Sequence, residues 1–128
     1  MAVLSLKKNI LLIDDEQDLI DLAVFRLEAS GYKTCAALNS EEGLNKAISE
    51  KPDIILLDIM MPGTDGLTTL ARLKDNEKTK HIPVIMFTSK TRNNDVSRAA
   101  ELGAADYVVK PFTPQKLLEK IKKALVTP

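Results

Sequence analysis

Five side chains placed after short apolar runs have the chemistry to hold a cation and an anion together: Asp14, Asp15, Asp58, Thr88 and Lys110. Asp58 follows Ile54-Ile55-Leu56-Leu57 without a polar break and precedes Met61-Pro62-Gly63. Asp14-Asp15 follows Ile10-Leu11-Leu12-Ile13, Thr88-Ser89 follows Val84-Ile85-Met86-Phe87, and Lys110-Pro111 follows Tyr107-Val108-Val109. Each alone is ordinary, since aspartate is common where a turn begins. Brought together they would not be. Two carboxylates about 4 Å apart repel by roughly 4 kcal/mol at an effective dielectric near 20, so a cluster requires a counter-charge. Lys110 supplies one, and a divalent cation would supply more. The donors are hard oxygens, which excludes soft-metal chemistry. Mg²⁺ characteristically takes one or two carboxylates, keeps waters and recruits phosphate oxygens. Carboxylates, a hydroxyl, a lysine and Mg²⁺ suit phosphoryl transfer to a carboxylate, giving an aspartyl-phosphate.

The elements that must position these groups follow from periodicity. Residues 9–14 read as a first strand. A helix over 16–30 carries Ile20, Ala23, Val24 and Leu27 at i, i+3, i+4 and i+7, with Gly31 as its stop. Leu19, Leu22 and Phe25 widen that apolar face into a broad core surface, part of which could instead dock a partner. Residues 32–37 form a weaker strand, with Cys35 as a small core residue. Ser40 caps a helix over 41–50. Residues 54–58, bounded by Pro52 and Pro62-Gly63, read as a strand buried on both faces. A helix over 66–74 leads to a strand over 81–89, where Pro83 is tolerable only near the start. A helix over 92–102 stops at Gly103, and a strand over 106–110 follows. Thr113 caps the last helix and Pro114 takes its first position.

Strands alternate with helices five times. That pattern implies right-handed crossovers and a parallel sheet with helices on both faces. The expected architecture is a doubly wound α/β domain, flavodoxin-like, with five parallel strands in the order 2-1-3-4-5. In that arrangement the strand order reverses between strands one and three, and ligands bind at the carboxyl ends beside that point. Asp14, Asp15 and Asp58 then share one crevice, with Thr88 and Lys110 on the same edge.

Composition narrows the function. The chain has 128 residues, which suits one domain with a real core. Its 18 basic and 18 acidic residues cancel, giving no general attraction to nucleic acid or to a membrane surface. One cysteine excludes an intrachain disulfide and a cysteine metal cluster. Residues 1–6 are too short for a signal segment, and no apolar run approaches the roughly 18 residues of a membrane span, so a cytoplasmic chain is expected. His81, the only histidine, sits at a strand entrance, which argues against a histidine phosphodonor or a Ser-His-Asp hydrolase. Lys116, Lys120, Lys122 and Lys123 read as a solvated helix face.

Asp14-Asp15, Asp58 with Met61-Pro62-Gly63 and Asp65-Gly66, Thr88-Ser89, Leu102-Gly103-Ala104, and Asp106 through Phe112 stand in an order and spacing that resembles the receiver domain of two-component response regulators, over essentially the whole chain. The resemblance implies that Asp58 accepts a phosphoryl group from a phosphohistidine on a sensor histidine kinase or histidine phosphotransfer protein. It implies Mg²⁺ held by Asp15, Asp58 and the main-chain carbonyl of Met60, with Asp14 acting through water. Thr88 would hydrogen-bond the phosphoryl oxygens and Lys110 would pair with them, and the Lys110-Pro111 bond would be cis. Tyr107 matches the family's switch aromatic, which turns inward as the threonine moves. Met60 and Lys90 match positions that tune the lifetime of the phosphorylated state. The implied protein is a signalling switch that catalyses its own phosphorylation and slow dephosphorylation and binds an unnamed downstream protein. It would be a monomer or weak dimer, with no direct contact to nucleic acid or membrane.

Two alternatives stand beside it. One is a degenerate, constitutive interaction module. The other is the N-terminal receiver of a DNA-binding transcriptional regulator, a branch that Met60 and Lys90 resemble. Val96 and Leu102, set against Lys116 and Lys120, do not reproduce that branch's matched dimer charges. A dehalogenase-like phosphatase would need a second aspartate at Met60. Crowded acids also lead to the expectation that Asp14→Ala raises stability without metal.

Overall fold

Leu57 and its three apolar predecessors are fully buried because they occupy the middle of a sheet covered on both sides. The computed structural model describes residues 7–61, 64–89 and 93–126, so Lys90, Pro62-Gly63 and the expected helix start at Arg92 lie outside the described residues. In chain order the elements are β1 (Asn9–Ile13), α1 (Gln17–Ala29), β2 (Lys33–Ala37), α2 (Ser40–Glu50), β3 (Ile54–Asp58), the two-residue strands β4 (Met60–Met61) and β5 (Thr64–Asp65), α3 (Gly66–Lys74), β6 (Val84–Ser89), α4 (Asn93–Glu101), β7 (Asp106–Lys110) and α5 (Pro114–Val126). Five strands form a parallel sheet in the order β2-β1-β3-β6-β7, while β4 and β5 pair only with each other. With that small pair set aside, the order is second, first, third, fourth, fifth, as the alternation predicts.

Side chains alternate across each strand, so the sheet splits the core in two. Leu11, Ile13, Ile55, Leu57 and Met86 meet Leu44, Ala47, Leu67, Leu70 and Leu73 of α2 and α3. Ile10, Leu12, Ile54, Leu56, Phe87 and Val108 meet Ala23, Leu27, Leu117 and Ile121 of α1 and α5. The alternation also sorts the charged residues. Asp14, Asp58 and Lys110 continue the columns Ile10-Leu12, Ile54-Leu56 and Val108, all on the α1–α5 side. In register, Ile13 pairs with Leu57, Asp58 with Phe87, and Ser89 with Lys110, so these columns end at one rim.

Several boundaries differ from the sequence reading, each for a local reason. Asn39, not Ser40, caps α2: its Oδ1 accepts the Glu42 N–H at 2.8 Å. Ser40 is buried instead, its hydroxyl 2.6 Å from that of Thr69 on α3. β6 starts at Val84, because 81–82 form a turn and Pro83 has no N–H to give a ladder. Thr113 does cap α5, accepting the Lys116 N–H at 3.1 Å. The broad core face expected on α1 is narrower. Ile20, Ala23 and Leu27 are buried, but Leu22 and Phe25 are 60% and 67% exposed. Among the described residues no helix is long and apolar enough to cross a membrane.

One contact fixes the chain just after Asp58. The Gly66 N–H donates to the Ile59 carbonyl at 2.7 Å, and a Cβ at Gly66 would lie 2.2 Å from the Asp58 carbonyl oxygen and 2.6 Å from the Ile59 Cα. These are backbone atoms that cannot rotate aside, so α3 must start with glycine to approach so closely. Gly66→Ala is therefore expected to cost about 2–3 kcal/mol of stability. A urea midpoint equal to that of the parent protein would show that the 58–59 backbone yields freely.

Candidate functional site

Lys110 donates from the last residue of an edge strand into a group of acids contributed by the end of β1 and the end of β3. Its Nζ lies 3.0 Å from Asp14 Oδ2, 3.1 Å from Glu16 Oε1 and 3.4 Å from Asp58 Oδ2. On the way the ammonium passes over the ring of Phe87, 5.8 Å from its centroid. Phe87 is itself stacked on Phe112 with centroids 5.2 Å apart. The Lys110-Pro111 bond is cis, as expected.

Each acid is held differently. Asp14 is wholly buried, and its Oδ1 accepts the Glu16 N–H at 2.9 Å. Asp58 is 5% exposed, and its Oδ1 accepts the Met60 N–H at 3.2 Å. Glu16 is exposed and was not among the sequence candidates. The sequence pattern places it as the first residue of the helix, whereas it is the N-cap, with extended backbone at φ −92° and ψ 101°. The signal was available in principle: an Asx-type turn from Asp14 returns the chain two residues later to the same mouth. Carboxylate oxygens of Asp14, Glu16 and Asp58 all lie within 4.8 Å of one another.

The other sequence candidates are not all drawn into this group. Asp15 is exposed and stands outside it. Thr88 is buried beside it in register, but its hydroxyl donates to the Ser89 carbonyl at 3.2 Å. Met60 is exposed and contributes its N–H to Asp58. Tyr107 is 41% exposed, with the Lys120 ammonium 5.7 Å from its ring centroid and also 3.0 Å from Asp106 Oδ1.

The electrostatics follow from burial and crowding. Burial, then the negative charge of Asp14, push the Asp58 carboxyl from 3.8 up to about 6, against the opposing pull of Lys110 and the Met60 N–H. Burial pulls Lys110 down, but its hydrogen bond to Asp14, the charges of Asp58 and Asp14, and the bond to Glu16 together raise it above its ordinary value. With all groups ionised, three carboxylates face one ammonium. Hard oxygens with two negative charges in excess are a donor set that fits a divalent cation such as Mg²⁺. The relief expected from removing an acid falls on Asp58. Asp14 anchors both Lys110 and the turn to Glu16, and removing one member of a buried pair leaves the other uncompensated.

Residues 10–122 match the family model for the response regulator receiver domain. Over 118 residues the chain is 40% identical to the phosphate regulon transcriptional regulatory protein PhoB of Pseudomonas aeruginosa, covering 92% of this chain and 52% of that protein. Over 120 residues it is 39% identical to the alkaline phosphatase synthesis transcriptional regulatory protein PhoP of Bacillus subtilis, covering 94% of this chain and 49% of that protein. The chain thus spans about half the length of these curated relatives. The solved structure of the chemotaxis protein CheY4 of Vibrio cholerae matches with a TM-score of 0.88 and 27% identity, covering 93% of this chain and 99% of that one.

The raised Asp58 value has a definite sign. The native state holds the proton more tightly than the unfolded chain, so Asp58 favours folding below about pH 4 and progressively loses that favour up to about pH 6. In metal-free buffer Asp58→Asn should therefore stabilise the fold by about 2–3 kcal/mol at pH 8, with the gain shrinking toward zero near pH 4. Urea midpoints across that range check it. A gain independent of pH, or a loss at pH 8, contradicts the assigned burial and crowding.

Proposed function

The chain belongs to the response regulator receiver domain family of two-component signalling, and from that premise we propose that it is a phosphoacceptor switch in which Asp58 takes a phosphoryl group from a phosphohistidine donor. The observation that carries this reading is the Lys110 ammonium lying between a buried Asp14 and the nearly buried Asp58. Residues 1–128 are taken as one receiver domain, since β1, β2, β3 and β6 each contribute to both cores that flank the sheet and β7 contributes Val108 to one of them.

Asp58 attacks as the carboxylate. With a pKa of about 6 it is mostly ionised at neutral pH, and its basicity makes it a better nucleophile than an ordinary aspartate. The new bond joins an Asp58 oxygen to phosphorus as the phosphorus–nitrogen bond to the donor histidine breaks. The departing imidazole keeps the bonding electron pair and takes a proton. Lys110 is close enough to exchange carboxylate partners for phosphoryl oxygens. Thr88 surrenders a long hydrogen bond to Ser89 to donate to them instead. Asp15, Asp58 and the Met60 carbonyl would hold Mg²⁺, with Asp14 acting through water and Glu16 a further acid at the same mouth. When bound, Mg²⁺ would neutralise charge on the oxygens of the transferring group.

The phosphoryl group favours a second arrangement only through contacts that differ between the two states. Moving the population from 1:99 to 99:1 takes about 5.5 kcal/mol. Charge-assisted hydrogen bonds contribute about 1.5–3 kcal/mol each, so those from Thr88 and Lys110 supply much of it. Tyr107 turning inward would carry the change to the surface of β7 and α5, where an unnamed downstream protein binds. The donor is a sensor histidine kinase or histidine phosphotransfer protein. Similarity to PhoB over half its length favours a second reading of context, as the receiver half of a transcriptional regulator. A constitutive module that is never phosphorylated is disfavoured by the complete set of Asp58, Asp14, Thr88 and Lys110.

Incubation with acetyl phosphate and Mg²⁺ should add one phosphoryl mass to the protein and none to Asp58→Asn, as read by mass spectrometry. Absence of the adduct in the parent protein, or its presence in the variant, overturns the assignment. Exposed Met60 beside the acceptor should hinder an attacking water. Met60→Asn is expected to lose its phosphoryl group several-fold faster, about 1 kcal/mol of barrier; equal or slower decay removes that role.

A further inference from the structure

The rim opposite the acids carries a cleft of contrary charge. In a parallel sheet with returning helices, the C-terminal end of α2 and the entry to β6 lie together at the end of the sheet away from Asp58. Between them is a cleft of about 410 Å³ lined by Ile48, Lys51, Lys78, His81 and Ile82. Ile82 is buried and Ile48 half-buried, so the floor is apolar. Lys51, Lys78 and His81 are exposed around it. The size falls within the roughly 300–1,000 Å³ of small-molecule sites, and apolar lining with a few polar groups is their usual character.

Two of the acids near this rim are engaged with other groups. Glu77 holds Lys80 at 2.9 Å. Asp53 Oδ2 accepts the Asn9 N–H at 2.7 Å. Glu50, next to Lys51 in the chain, is exposed, and its charge acts on Cys35, adding to burial in pushing that thiol up. Among the described residues neither Lys51 nor Lys78 forms an ion pair. Lys51 also ends α2 in the left-handed conformation, with φ 48°, which fixes where its side chain leaves the backbone. In a chain of zero net charge, two unpaired ammonium groups and an imidazole around one apolar floor form a local excess.

We propose that this cleft is a binding site for a small organic anion, an apolar body of about ring size bearing a phosphonate, phosphate or carboxylate. The body rests on Ile48 and Ile82, and the charge lies between Lys51 and Lys78. The site is independent of Asp58 and of whether that residue is phosphorylated. Phenylphosphonate is a suitable probe, because its carbon–phosphorus bond cannot transfer to Asp58. Titrated into the full chain in metal-free buffer, it should shift the amide resonances of residues 48–51 and 78–82 saturably and leave those of 14, 58 and 110 in place. Lys51→Gln with Lys78→Gln, both exposed changes, should keep the native spectrum and weaken binding roughly ten-fold. Benzyl alcohol, without charge, and inorganic phosphate, without a body, should each bind roughly ten-fold more weakly than phenylphosphonate. The inference is overturned by shifts that do not saturate, by equal affinity in the double variant, by equal binding of either control, or by shifts centred on Asp58 and Lys110.

Discussion

One ammonium group facing three carboxylates is the constraint around which this domain is built. Lys110 crosses the ends of β6 and β3 to reach Asp14, and it touches Asp58 and Glu16 on the way. A fully buried aspartate would be intolerable without that partner, because an isolated charge in a low-dielectric interior carries a large desolvation cost. One positive charge does not neutralise three negative ones, however. Burial first, and then the residual repulsion from Asp14, raise the carboxyl of Asp58, the acid farthest from the ammonium at 3.4 Å. The same crowding of hard oxygens is a donor set that fits a cation, and it helps to make the Asp58 carboxylate more basic than an ordinary aspartate. Stability and reactivity thus have one origin here.

The fold delivers this arrangement through ordinary strand periodicity. Asp14, Asp58 and Lys110 are the polar ends of three apolar columns on one face, so packing α1 and α5 onto that face fixes all three in depth. Gly66 then pins the chain behind Asp58 by backbone contact, and the Met60 N–H orients the carboxylate from the front. Thr88 belongs to the opposite alternation, continuing from Met86, and its hydroxyl is spent on a neighbouring carbonyl. Tyr107 stays outward under the Lys120 ammonium, which Asp106 also holds. A cation over an exposed ring is worth about 0.5–1 kcal/mol, a modest bias that new contacts at the phosphoryl group can exceed. In the switch reading, the moving parts are therefore the lightly tethered ones.

What was legible in the sequence followed from strong, repeated signals. Four unbroken apolar residues before Asp58 and before Asp14, and a shorter run of three before Lys110, reveal both the parallel sheet and the rim where its charges gather. Alternation with helices then set the strand order. What was not legible depended on single-residue choices between near-equal local options. Asn39 and Ser40 can each cap a helix, and the choice went to Asn39 because Ser40 found Thr69, 29 positions away. Glu16 fits a first helical turn equally well, and only the Asx-type turn from Asp14 frees it toward Lys110. Leu22 and Phe25 are apolar, yet neither falls on the stripe of Ile20, Ala23 and Leu27 that α1 turns inward, so both stay in water.

The account stands on the claim that Asp58 is a buried acid crowded by Asp14 and only partly relieved by Lys110. Carbon-13 observation of the Asp58 side-chain carboxyl through a pH titration of the metal-free protein tests it directly. A midpoint near 6 is predicted. A midpoint near 4, the value of a solvated aspartate, would contradict it.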